Sequence, residues 1–179
     1  MAATGQHAGL GMRARTLGSA SLREIVMGSQ DNLTNVLAVV FGVAIGSGDV
    51  STVALAGLAA GVAEAISMGG VLYNATKVER DLARSTGAPY VKSPGRAAMT
   101  TLVAALVAAL IPLAPLALLP LELAVAAAAT LSLGTLFAVG VWTGGVTGDT
   151  RWRCGVRFVA IGGLAALASA LVGAVLKTG

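Results

Sequence analysis

Three side chains able to hold a cation lie inside otherwise apolar stretches of this chain. Glu64 and Met68 are one helical turn apart in "EAISMGG" (64–70), and Asp31 belongs to the preceding apolar stretch, "QDNLTNVLAVVFGVAIG". Carboxylate oxygen and thioether sulfur on adjacent apolar segments suit reversible binding of a metal ion. An acid at the middle of a bilayer costs about 2.5–3.5 kcal/mol on insertion scales. No Lys or Arg falls within the apolar interior of any segment to repay that cost. Each acid therefore either carries a proton at rest or is compensated by a cation that enters and leaves. Exchange of metal for protons is the chemistry this pattern supports.

The elements that must position these groups follow from composition. Of 179 residues 56% are hydrophobic and 11% are charged, against about 25% charged in a soluble domain. Crossing the hydrocarbon takes roughly 20 apolar residues per helix, which predicts an all-α membrane bundle of five spans near 25–47, 52–75, 97–119, 122–142 and 156–176. Residues 1–21 read as a flexible cytoplasmic tail, and 22–179 as one transmembrane domain. The first two spans are joined by the turn "GSGDVS", and the second and third by the polar stretch 76–96. Pro112, Pro115 and Pro120 bend or stop the third. The fourth ends in the glycine-rich "TGGVTGD".

Charge placement orients the bundle. Eleven of the twelve Lys and Arg residues precede the first span (Arg13, Arg15, Arg23), lie in 76–96, or cluster where the last span begins (Arg151, Arg153, Arg157), and Lys177 alone falls on the other side. The positive-inside rule puts the N-terminus in the cytoplasm and the C-terminus outside.

Periodicity then selects faces. Asp31, Asn35, Ala38, Gly42 and Gly46 recur at spacings of three and four on the first span, as do Gly57, Gly61, Glu64 and Met68 on the second. Gly42/Gly46 and Gly57/Gly61 are small-xxx-small pairs suited to close helix contact. At 1.5 Å per residue, Asp31 lies roughly 9 Å and Met68 roughly 10 Å from the cytoplasmic side, with Glu64 one turn deeper. If both stripes face one interior, Asp31, Asn35, Glu64 and Met68 form a ladder of metal ligands. Oxygen donors alone suit magnesium, calcium or manganese, whereas a thioether favours a later transition metal. The mixture fits a loosely held ferrous ion, with manganese second.

Other chemistries lack their residues. Cys154 is the single cysteine and His7 the single histidine, so neither a disulfide nor an imidazole cluster can form within the chain, and no Ser/His or Cys/His pair supports catalysis. "GGVTGD" lacks the Gly-Lys-Ser/Thr of a phosphate loop. The net charge of +4 comes with no basic run interleaved with aromatics, so nucleic acid is not an expected partner. Glu122 reads as an interfacial acid, Asp49 and Asp149 as loop acids, and Trp142 and Trp152 as interfacial anchors. The N-terminal stretch has no A-x-A-like processing site.

At these residues the chain resembles the vacuolar iron transporter family. The similarity rests on "IVMGSQDNLTNVLAVVFGVAIG", like the family's Gly-x-x-Asp-Gly followed by an apolar span. It continues in "LAGLAAGVAEAISMGGVLYNATKVERD", with its small-residue run, acid, Ser-Met and late Tyr, and in "SPGRAAMTTLVAALVAALIPLAPLALL", with Ser-Pro at entry and Ile-Pro-Leu late. It covers about residues 22 to 177. The resemblance implies a five-helix subunit, a homodimer, and an ion path at the dimer interface, with Asp31 and Met68 at path positions and Glu64 at the family's acidic second-helix position. Three departures stand out. Asn32 replaces the family's usual Gly, Leu72 replaces its Glu before Tyr73, and the glutamate-rich cytoplasmic insert is missing, leaving Glu79 and Asp81 as the only acids in 76–96. The chain thus resembles the shorter, insert-free branch.

The expectation is a proton-coupled exporter of ferrous iron or manganese, without a resident cofactor, in a bacterial-type plasma membrane (or a vacuolar-type membrane if eukaryotic). Its partners are the metal ion, protons, membrane lipid and a second copy of the chain. The competing expectation is a structural or regulatory membrane protein of the same fold.

Overall fold

The computed structural model describes the backbone of residues 3–177 and the side chains of residues 22–177. The tail expected over 1–21, with His7, falls outside the described side chains. The chain is all-α, with α1 (Ala3–Ser47), α2 (Val50–Thr86), α3 (Pro94–Leu113), a 3₁₀ turn (Ala114–Ala117), α4 (Leu121–Thr147) and α5 (Arg151–Val175). Among the described residues α2, α3 with its 3₁₀ extension, α4 and α5 are each long and apolar enough to cross a membrane. The protein is therefore a multi-pass membrane protein. The first expected span, 25–47, falls in α1, which is not among these four, its described part being made more polar by Gln30, Asp31, Asn32 and Asn35.

Helix ends follow local chemistry. Gly48, at φ +67°, turns the chain between α1 and α2. Asp49 then caps α2, its Oδ2 accepting from the Thr52 backbone N–H and from Thr52 Oγ1, each at 2.7 Å. Helix α2 runs on to Thr86, well past the expected end at 75, so the polar stretch 76–96 is largely helical. Only residues 87–93 connect α2 to α3. Tyr90 in that connection folds back, its hydroxyl donating to Thr76 O at 3.0 Å and Glu79 Oε2 at 3.2 Å, while Lys92 pairs with Glu79 at 3.7 Å. Pro112 lies within α3, the helix tightens into a 3₁₀ turn containing Pro115, and Pro120 precedes α4. The three prolines thus act where the pattern put them.

Helix α1 is the centre of the bundle and packs against every other helix. Val36 and Val40 meet Val53 of α2, Ala109 of α3 and Ala128 of α4 in one core cluster, while Leu33 meets Ala108, Leu136 and Phe158 in a second. Small residues make the crossings close. A Cβ added at Gly28 would sit 2.5 Å from the Thr101 carbonyl oxygen of α3, and one at Gly140 would sit 2.7 Å from that of Cys154. The two glycine pairs expected to mediate contact do so against different neighbours. Gly42 and Gly46 lie against Ser169 and Gly173 of α5, whereas Gly57 and Gly61 receive Leu113, Ala109 and Val36. Trp142 and Trp152 are exposed, and Trp152 packs edge-on to Phe137 with centroids 5.0 Å apart.

Candidate metal site on the α2–α1–α5 face

Helix α1 presents a polar strip between α2 and α5. Met27, Gln30, Asp31 and Thr34 come from α1, Met68 from α2 and Ile161 from α5, and together they line an open pocket of about 390 Å³. Spacings of three and four on α1 place its four residues along one side of the helix. Glu64 stands one turn from Met68, half-buried, with its carboxyl close enough to that of Asp31 for the two to act on each other. Two neighbouring carboxylates repel when both are charged, and a shared proton or an intervening cation relieves that repulsion. Among the described residues the ion pairs are Arg80–Asp81 and Lys92–Glu79, and neither involves this pair.

Of the four residues expected to form the ladder, Asp31, Glu64 and Met68 come together. Asn35 lies one turn further along the same strip, exposed and outside the pocket lining. Asp31 is exposed too, so in a single chain the pocket opens on the outer face of the bundle.

Three neighbours escaped the sequence reading. Met27 and Gln30 share the pocket, and their signal was position, since they precede Asp31 by four residues and one. Glu24 is buried at the start of the described part of α1, with 7% of its surface exposed. Burial pushes its carboxyl above the ordinary value, while the charges of Lys92, Arg96 and Arg23 pull it back down. Glu24 and Asp31 are two turns apart on one face, which extends the acidic strip toward the basic end of the molecule.

Asn32 has a different task from Asp31. It is fully buried, and its Nδ2 donates to Gly61 O of α2 and Ala105 O of α3, each at 2.9 Å. It ties three helices together one turn before Glu64 and so holds α1 and α2 in the register that faces the two acids.

A model of the VIT family matches residues 22–89 and 84–174. The chain belongs to the VIT family. The match takes in all five helices, and its two segments overlap at 84–89, the end of α2 and start of the short connection to α3. Among curated proteins none matches the chain. VIT-family proteins are transporters and not enzymes, and membership implies a divalent metal as substrate. The pocket on α1 is the place in this chain where carboxylate and thioether donors meet inside a predicted span.

Proposed function

We propose that this protein exports ferrous iron, with manganese as second substrate, from the cytoplasm in exchange for protons, through a path between two copies of the chain. The carrying observation is that Asp31 and Glu64 neighbour each other and that, among the described residues, no ion pair involves either of them. Such a pair takes up a metal by losing a proton and takes up a proton by losing the metal. Met68 supplies a soft donor that favours iron over calcium or magnesium. Asn35 extends the strip by one turn and offers an amide oxygen along the route.

The exposure of Asp31 and Asn35 supports the paired arrangement. On a lone subunit both would face acyl chains, at a cost of about 2.5–3.5 kcal/mol for the acid alone. A second copy laid against the α2–α1–α5 face would enclose them. Basic residues before the first span, around 77–96 and at 151–157 support a cytoplasmic position for that end under the positive-inside rule. We take the host membrane to be a bacterial-type plasma membrane.

Proteoliposomes loaded with an iron-quenched dye test the reading. Uptake of Fe2+ should require an opposing pH gradient, and Asp31→Ala or Met68→Ala should abolish or strongly slow it. Wild-type uptake in either variant would refute the site. Gradient-independent leakage, or no uptake at all, would favour a structural role for the fold.

A further inference from the structure

The pocket beside Asp31 holds two thioethers. Met27 comes from α1 and Met68 from α2, both half-buried, and both line the same space as the Asp31 carboxylate. Met27 precedes Asp31 by four residues, which puts the two on one face of α1 one turn apart. Its neighbours Val26 and Leu33 are packed into the bundle core, whereas Met27 belongs to neither core cluster. Its flexible side chain therefore borders the open pocket that Gln30, Asp31 and Thr34 also line, and lies outside the core clusters.

Coordination number makes that placement matter. Among the described residues no three His, Cys, Asp or Glu side chains converge anywhere in the molecule. Asp31 lines the pocket and Glu64 stands beside it, so within one subunit the further side-chain donors at the pocket are Gln30, Thr34, Met27 and Met68. Thioether sulfur does little for hard ions such as manganese and binds later divalent ions more strongly. A second thioether therefore changes which ion is preferred more than it changes how tightly all ions bind.

We propose that Met27 is a second soft ligand of the transported metal and sets this chain's preference for later transition metals over manganese. The assignment rests on the transport reading above.

Anaerobic titration of the full chain in nanodiscs, with Co2+ and Mn2+ competing, tests it. Cobalt exceeds manganese at almost any site, so the quantity read is the change in their affinity ratio. Met27→Leu keeps size and apolarity and removes only the sulfur. It should weaken Co2+ by about tenfold or more, the scale on which loss of a supporting group around a metal is felt. Mn2+ should stay within about twofold, because its binding draws on the oxygens. Cobalt-edge X-ray absorption should show one sulfur scatterer fewer than wild type, and Met68→Leu should match it. An unchanged Co2+ to Mn2+ ratio with an unchanged sulfur count in Met27→Leu would overturn the role of Met27 and leave the transport reading intact. Wild-type protein that binds neither ion would overturn both.

Discussion

Replacing Asn32 by Asp should damage this protein more than replacing it by Ala, although Asp preserves the side chain's shape. The amide donates to two backbone carbonyls, Gly61 O and Ala105 O, both at 2.9 Å. Each carbonyl lies within a helix and also serves that helix's own ladder, so removing the amide leaves neither bare. Interhelical hydrogen bonds of this kind average about 0.6 kcal/mol in membranes. Asn32→Ala should therefore cost about 1 kcal/mol for the pair, and it also removes an amide oxygen, Oδ1, that has no partner. Asn32→Asp loses the same two bonds and turns an oxygen toward two carbonyl oxygens. A protonated carboxyl regains one bond, but holding it protonated at neutral pH, about three units above its ordinary value, costs about 4 kcal/mol, and a charged one adds about 2.5–3.5 kcal/mol. The expected order is wild type, then Ala, then Asp, with the last at least about 2 kcal/mol below wild type. Reversible unfolding by SDS from mixed micelles, followed by circular dichroism, measures it. An Asp variant as stable as the Ala variant would refute the donor role assigned to this amide.

Other outcomes can be checked on the same preparation. Gly28→Ala puts a methyl 2.5 Å from the Thr101 carbonyl oxygen and should cost about 1–3 kcal/mol as α1 and α3 part. Gly70→Ala meets nothing within 4 Å and should be neutral or gain up to about 1 kcal/mol in helix propensity. The Asp49 carboxyl is held below the ordinary carboxylate value by the hydroxyl and backbone N–H of Thr52. A depressed folded-state pKa gives stability that is present above the unfolded value and lost as pH falls through the folded one. Asp49→Ala should thus be less stable than wild type at neutral pH, with the gap closing as unfolding curves are taken into strong acid. Tyr90→Phe removes the hydroxyl that ties the α2–α3 connection to Thr76 and Glu79, at a cost of about 1 kcal/mol. Hydrogen exchange should rise first in residues 87–93.

The parts of the molecule legible in sequence are those that depend on one helix at a time. Apolar run length located the helices, prolines located the break after α3, and a spacing of four put Glu64 and Met68 on one face. The charge of 76–96 hid the continuation of α2 to Thr86, because polarity marks the end of a membrane span and not the end of a helix. Partner choice was hidden as well. The Gly42/Gly46 and Gly57/Gly61 stripes looked alike, yet one lies against α5 and the other against α1 and α3. A pattern within one helix gives a face but does not say which helix covers it.

Asp31 and Asn32 show where that ambiguity has consequences. Neighbours on a helix point about 100° apart, so one of two adjacent polar residues can turn inward while the other turns out. In sequence the pair reads as a single polar spot in an apolar run. In the fold Asn32 faces the meeting of α1, α2 and α3, where helix carbonyls with a spare lone pair satisfy its amide donor. Asp31 faces the open strip, where no carbonyl can satisfy a carboxylate, since both are acceptors, and where a second acid, Glu64, is among its neighbours. A proton or a cation can complete that pair. Among the described residues no ion pair reaches it, so on the proposed reading what completes it comes from outside and can leave again.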